Sequence, residues 1–326
     1  MLETDDQTNG QAYGETHGET HGENHSGTHR SAGGVDGAHD TVRLRLDLAY
    51  DGRAFAGWAV QPGLRTVQGV LEEGIARISR PGRPRVTVAG RTDTGVHARG
   101  QVVHVDLPLE RWEAMPGRSD RAPGESMVAR LAGVLPDDVV VRSAEPAPPG
   151  FDARFSAQHR HYTYRIVDDP DLRDPLRRGW TLWARRRLDV DAMHASMQPL
   201  LGLRDFAAYC RPRPGATTIR ELTRMDWCRV EEGADAGLVV ARVSADAFCH
   251  NMVRSLVGAS LAVGEGRRPV EFPAEHLRGR RRTSDAGRAA AHGLVLEAVD
   301  YPPDAELASR ARQVRARRMD EDVDED

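Results

Sequence analysis

Cysteine is scarce in this chain: Cys210, Cys228 and Cys249 stand far apart, with no Cys-x-x-Cys pair among them. An odd count at such spacing argues against a disulfide framework and a zinc ribbon, and fits a reducing cytosol. Ordinary packing is the role expected of all three. Lysine is absent, so all 45 basic residues are arginine. No run of 18 or more apolar residues occurs, and no membrane span is expected. The amino terminus has neither a basic start nor an apolar stretch, so no secretory signal is expected either. A soluble, cytoplasmic protein is the expectation.

What is present is an ordinary globular composition over 326 residues, about 47% apolar when Gly is counted and Tyr left out. That length favours two units over a single core. The net charge of −4 is unevenly distributed. Residues 1–40 carry eight acids against Arg30, and residues 320–326 carry six acids and no base. Residues 41–319 are left with 35 acids against 44 arginines, a charge of about +9. An acidic chain overall is thus a basic body with acidic ends.

Residues 1–40 contain the near-repeat GETHGETHGENHSGTH and five histidines, His17, His21, His25, His29 and His39. Imidazoles in such a run can hold a divalent metal. The plainer reading is an unstructured tail, since glycines interrupt the repeat and nothing apolar is there to bury. Beyond it, Arg43–Tyr50 alternates as a half-buried strand. Thr66 caps a helix running to Ser79. Strands are expected over 85–89, 100–107 and 139–144, and a helix over 126–135. This is the split βαβ order of a ferredoxin-like or RRM-like half. After the Pro-rich 146–150 stretch the pattern recurs: strands over 160–167, 221–230, 238–247 and 294–299, and helices over 190–201 and 251–263. The expected fold is α+β, two fused ferredoxin-like halves sharing one mixed, mainly antiparallel sheet with helices on one face. The expected divisions are a tail at 1–40, halves at 41–150 and 151–303, and a C-terminal helix with an acidic tail at 304–326.

Residues 88–104 run from a strand into a polar, glycine-rich loop and out again. On extended chain Arg91 and Asp93, two apart, point to one side. A carboxylate beside a guanidinium stays ionised, and an ionised, positioned carboxylate is a nucleophile candidate. An ordinary turn with a surface ion pair is the alternative reading.

The stretch AGRTDTGVHARGQVVH at 89–104 resembles the nucleophile motif of the tRNA pseudouridine synthase A family. Tyr50-Asp51-Gly52 with Phe55-Ala56-Gly57-Trp58, Thr66-Val67-Gln68, Phe151–Ala157 (FDARFSA), Tyr162-Thr163-Tyr164, Asp246–Arg254 and His292-Gly293-Leu294 extend the resemblance over about residues 42–303. It implies an isomerase that turns uridine into pseudouridine at positions 38, 39 and 40 of the tRNA anticodon arm. Asp93 then matches the nucleophile, and Arg91 the arginine that handles the evicted base. Tyr162 matches the tyrosine packed on the target base and proposed to assist proton removal from C5, and Arg254 the arginine paired with the aspartate. The resemblance also implies a homodimer with tRNA across both subunits. The reaction involves no net redox change, so no metal or other cofactor is expected.

The residues suit that chemistry. A stacked base must be flipped out and held on an aromatic face, and a basic body attracts phosphate. Arg254 lies in an apolar helix and needs a partner, for which Asp93 is the best candidate. Either Tyr162 or Tyr164 can be core packing. His97 and His104 read as structural loop residues or as acid–base groups. His161 stands where a Lys or Arg is usual before the tyrosine, Ala59 where Gln follows the tryptophan, and Leu131–Pro136 lacks the usual Asn-rich approach. Arg211-Pro212-Arg213-Pro214 and Arg278–Arg282 are candidate phosphate grips or a solvated basic face. The competing reading is an RNA-binding protein that has kept the fold without catalysis; the joint presence of Asp93, Arg91, Tyr162 and Arg254 favours the enzyme.

Overall fold

The computed structural model describes residues 40–79, 84–212 and 217–323. The His-rich segment, Arg213-Pro214 and the last three acids lie outside them. The elements in chain order are β1 (Thr41–Tyr50), α1 (Val67–Ser79), β2 (Thr87–Val88), β3 (His97–Pro108), α2 (Leu109–Glu113), α3 (Pro123–Ala132) and β4 (Val139–Pro146). There follow β5 (His159–Val167), β6 (Leu182–Trp183), α4 (Val190–Met197), β7 (Gly202–Asp205), β8 (Ile219–Arg229), β9 (Val239–Ala245), α5 (Met252–Gly264), α6 (Phe272–Arg278), β10 (Leu294–Asp300) and α7 (Leu307–Val323). The α+β expectation holds, with one ten-stranded sheet ordered β4-β1-β3-β10-β5-β9-β8-β7; β2 pairs with β3 and β6 with β5. Among the described residues, only the β3–β10 and β5–β6 pairings are parallel.

The alternation in β1 does what its sequence predicts, burying Leu44, Leu46, Leu48 and Tyr50 on one face. Thr66 accepts a hydrogen bond from the Gly69 N–H at 3.2 Å and so caps α1, whose Leu71 and Ile75 are fully buried. Helices α3 and α4 pack on β4 and β8. The expected strand over 85–89 shrinks to two residues, with Thr87 opposite His104 and Val88 opposite Val103.

The two halves of the sheet meet at β3 and β10, where Val295 lies opposite His97 and Leu296 opposite Ala98. The Asp93 loop runs directly into this seam. Helix α7 closes over the FDARFSA stretch: Ser156 Oγ donates to the Leu307 carbonyl at 3.1 Å, and Arg315 to Asp152 at 2.6 Å.

One cysteine expectation is corrected. Cys210 and Cys249 are joined as a disulfide, their Cα atoms 5.6 Å apart, and Cys228 is free. The loop after β7 and the loop before α5 converge only in the fold, so a separation of 39 residues carries no pairing signal. Among the described residues, no helix is long and apolar enough to cross a membrane.

Candidate active site

Asp93 opens a tight turn between β2 and β3. The Val96 N–H donates to the Asp93 carbonyl at 3.1 Å, and Gly95 takes φ +79°, the left-handed value that the third position of such a turn demands. The turn is braced from beneath. Tyr50 shares a 2.7 Å hydrogen bond with Thr92 Oγ1, Gln101 donates to the Gly90 carbonyl at 2.9 Å, and the Trp58 N–H donates to the Thr92 carbonyl at 3.0 Å. Gly57 sits so close that a Cβ there would lie 3.1 Å from the Thr92 carbonyl oxygen and 3.2 Å from the Thr94 nitrogen. The opening YDG…FAGW stretch is therefore the bed on which the Asp93 loop rests.

The Asp93 carboxylate meets two groups from the other half of the chain. Arg254 Nη1, in the first turn of α5, stands 3.6 Å from Oδ2, and His250 Nε2 stands 3.6 Å from Oδ1. Arg254 is held in place by donating its Nε proton to the Ala289 carbonyl at 2.8 Å. Burial pulls its pKa down and Arg288 adds to that, while Asp93 pulls the other way. The carboxylate keeps 25% side-chain exposure against 12% for Arg254, so it is open to a ligand on one side.

Arg91 lines the same cleft but is exposed; Asp93 faces Arg254, the partner expected for it, and also His250. Arg91 and Asp93 thus face one cleft, as residues two apart on extended chain do.

Tyr162, on β5, brings an aromatic ring to the cleft and packs edge-on to Phe248, centroids 5.3 Å apart at 89°. Burial pushes its phenol well above the ordinary range, with Tyr50 and Asp93 adding to the rise, so it stays neutral. Tyr164, on the same face two residues on, is fully buried and donates to the Ala290 carbonyl at 2.8 Å. Of the two tyrosines, Tyr164 is therefore the packing residue. His97 and His104 are also structural: each is buried and accepts a backbone N–H at Nδ1, from Gly52 at 3.2 Å and Ala153 at 3.0 Å. His161 is engaged on the sheet, bonded to Ser244 and Asp300.

The cleft containing Asp93, Tyr162 and Arg254 is small, about 50 Å³. A larger one, about 560 Å³ and lined by Arg53, Arg178, Trp183 and His292 among others, has no carboxylate on its wall. Of these two clefts, the smaller brings carboxylate, guanidinium and aromatic ring together; a third, about 450 Å³, also has Arg45, Asp300, Asp304, Phe151 and Tyr301 on its wall.

Comparison with known proteins matches residues 197–302 to the family model described as tRNA pseudouridine synthase. A curated relative from Frankia casuarinae, named tRNA pseudouridine synthase A, is 55% identical over 278 residues, covering 85% of this chain and 96% of the relative. Relatives of the same name from Streptomyces griseus and Mycobacterium leprae are 51% and 50% identical, covering 84% and 83% of this chain and 93% and 94% of theirs. The chain belongs to the tRNA pseudouridine synthase A family.

Within that family setting, three residues at the site carried no assigned role in the sequence reading. His250 and Asn251 sit in the run leading to Arg254, and proximity to that arginine was the available signal. Arg160 is 8% exposed and donates to the carbonyls of Asp246 at 2.6 Å, Ala89 at 2.8 Å and Arg154 at 3.0 Å. One guanidinium thereby ties the approach to the Asp93 loop, the FDARFSA stretch and the loop before α5.

Proposed function

We propose that this protein isomerises uridine to pseudouridine in tRNA, at positions 38, 39 and 40 of the anticodon arm, with Asp93 as the nucleophile. The observation that carries the reading is the partly exposed Asp93 carboxylate, held 3.6 Å from the largely buried Arg254 in a cleft walled by Tyr162. Asp93 attacks the bound uridine, the N1–C1′ bond breaks, the base turns, C5 bonds to C1′, the bond to Asp93 breaks and restores the carboxylate, and the proton lost from C5 is balanced by one that N1 takes up from water. Atoms and electrons are conserved, so the chemistry needs positioning and an ionised carboxylate. Arg254 faces the carboxylate at 3.6 Å and offers it an opposite charge.

A base within a helical arm must leave the stack to reach the cleft. Tyr162 supplies the face that receives it, and exposed Arg91 at the mouth handles the evicted nucleotide and its phosphate. The basic body supplies long-range attraction for RNA. A homodimer that binds tRNA across both subunits and works in the cytoplasm, where its substrate is found, completes the proposal.

The test is to map pseudouridine in tRNA incubated with wild-type and Asp93→Asn protein. Modification at 38–40 by the wild type, and none by a variant that still binds tRNA, is the expected outcome. Equal activity in the variant would refute the nucleophile. A wild type that binds tRNA and leaves every uridine intact would point to a binding protein instead.

A further inference from the structure

Asn251 begins α5 in a conformation that few residues tolerate, with φ +69° and ψ 1°. Asparagine accepts this left-handed region better than most. At a helix start an Asn side chain ordinarily folds back onto the N–H groups of the first turn. This one makes no such bond. Arg288 Nη1 instead approaches its Oδ1 at 3.5 Å, and an arginine can only donate, so the oxygen end of the amide faces Arg288. The Nδ2 group is left buried with no partner among the described residues, in a residue only 6% exposed. The residue itself lines the cleft together with Asp93, Tyr162 and Arg254. A buried donor lacking an acceptor is costly, and here the wall it belongs to is the one a substrate would meet.

We propose that Asn251 Nδ2 donates a hydrogen bond to a ring carbonyl of the target uracil and fixes the plane of the base against Asp93. The proposal rests on the pseudouridine synthase reading above. A neutral amide donor in a small cleft suits a neutral acceptor, while the charged groups of the cleft, Arg91 and Arg254, suit phosphate and carboxylate. Uracil offers two such acceptors, C2=O and C4=O, on either side of N3. Turning the ring about its N3···C6 axis exchanges N1 with C5 and, in the same motion, C2=O with C4=O. One fixed donor therefore finds a carbonyl both before the glycosidic bond breaks and after C5 has taken the place of N1. Asn251 is in this view a substrate-contacting residue that bonds one carbonyl before the turn of the base and the other after it.

Asn251→Gly is the informative variant, because glycine adopts φ +69° freely and removes only the amide. Asn251→Asp keeps shape and backbone tolerance while replacing the donor by an acceptor. Single-turnover rates on a tRNA transcript are expected to fall about tenfold or more in both, with tRNA Kd within about twofold of wild type. Transcripts carrying 2-thiouridine or 4-thiouridine at the target supply a readout that a structural role would not move, since sulfur is a poor acceptor. The wild type should slow on at least one of them, and Asn251→Gly should lose little more on that substrate. A Gly variant that turns over within about twofold of wild type, or wild type and variant equally sensitive to both thio substrates, would overturn the proposal. Should Asn251→Gly not fold, the same criteria apply to Asn251→Asp. An inactive wild type would remove the underlying assignment and this proposal with it, whereas an active wild type beside an equally active variant removes the proposal alone.

Discussion

Replacing Arg160 by methionine should damage both stability and rate, and the structure indicates by how much. The guanidinium makes three close bonds to backbone carbonyls, at 2.6, 2.8 and 3.0 Å, and a fourth longer one to Ala157 at 3.5 Å. Hydrogen bonds to a charged partner contribute about 1.5–3 kcal/mol each, so three are worth about 4–9 kcal/mol. Against this stands the desolvation of a buried cation, several kcal/mol, which burial expresses as a lowered pKa for this arginine. Methionine avoids that cost and fills similar volume, but leaves the carbonyls of Ala89, Arg154 and Asp246 without their donor. A net loss of about 2–4 kcal/mol is expected, a large fraction of a typical domain's 5–15 kcal/mol. Because Ala89 leads into the Asp93 loop and Asp246 into the loop carrying Phe248, His250 and Asn251, small displacements of both should lower the single-turnover rate about 10–100-fold, with a smaller effect on tRNA affinity. Urea unfolding followed by tryptophan fluorescence measures the first quantity, and a tRNA isomerisation assay the second. Arg160→Lys, which offers a compact ammonium in place of a fork, should fall between. A methionine variant within about 0.5 kcal/mol of wild type and equally fast would refute the clamp.

Three further outcomes are expected. Gly57→Ala places a methyl 3.1 Å from the Thr92 carbonyl at φ +94°, and should cost about 1–3 kcal/mol and slow turnover by shifting the Asp93 turn; unchanged urea midpoint and rate would refute the docking of the two loops. Tyr162→Leu removes the ring facing the cleft and should reduce the rate about 10–100-fold, while Tyr162→Phe, which keeps the ring, should lose less; equal losses would assign the effect to the hydroxyl. Burial lowers the pKa of His97 and His104 below the ordinary imidazole value, outweighing Asp51 for the first and, with Arg43 and Arg315 adding to it, Asp152 and Asp106 for the second. The unfolded chain then takes up protons more readily, so their contribution is full above the ordinary imidazole value and is lost as pH falls toward the lowered folded one. Unfolding free energy should drop between about pH 7.5 and about pH 5, less steeply in His97→Gln, and a flat or rising profile would contradict this.

Much of the fold is legible because its strands bury one face. The β1 alternation and the apolar helix α5 are written in residue types. The same parity made Arg160 readable in part: it shares an inward face with Tyr162, Tyr164 and Ile166, all buried. A charge in that register demands partners, but the partners are carbonyls on three separate loops, which no side-chain pattern announces. Strand β7 escaped notice for the opposite reason, since its residues are largely exposed and leave no alternation to read. The Asp93–Arg254 pairing was legible, because a charge in an apolar helix demands a partner, whereas the Cys210–Cys249 pair and the approach of His250 to Asp93 depend on where loops meet.

The site lies where sequence-local reasoning is weakest, at the seam between β3 and β10. Asp93 and Arg91 come from the first half of the sheet, and Tyr162, Phe248, Asn251 and Arg254 from the second. The two halves are joined in the ladder by two residue pairs, Val295 with His97 and Leu296 with Ala98. The Asp93 turn ends at Val96, one residue before that pairing begins. Either half alone would present an incomplete cleft, a carboxylate without its guanidinium or an aromatic wall without a nucleophile. Asp93 and Arg254 thus reach the cleft from opposite sides of the β3–β10 pairing, and its geometry depends on that seam as much as on the core to either side.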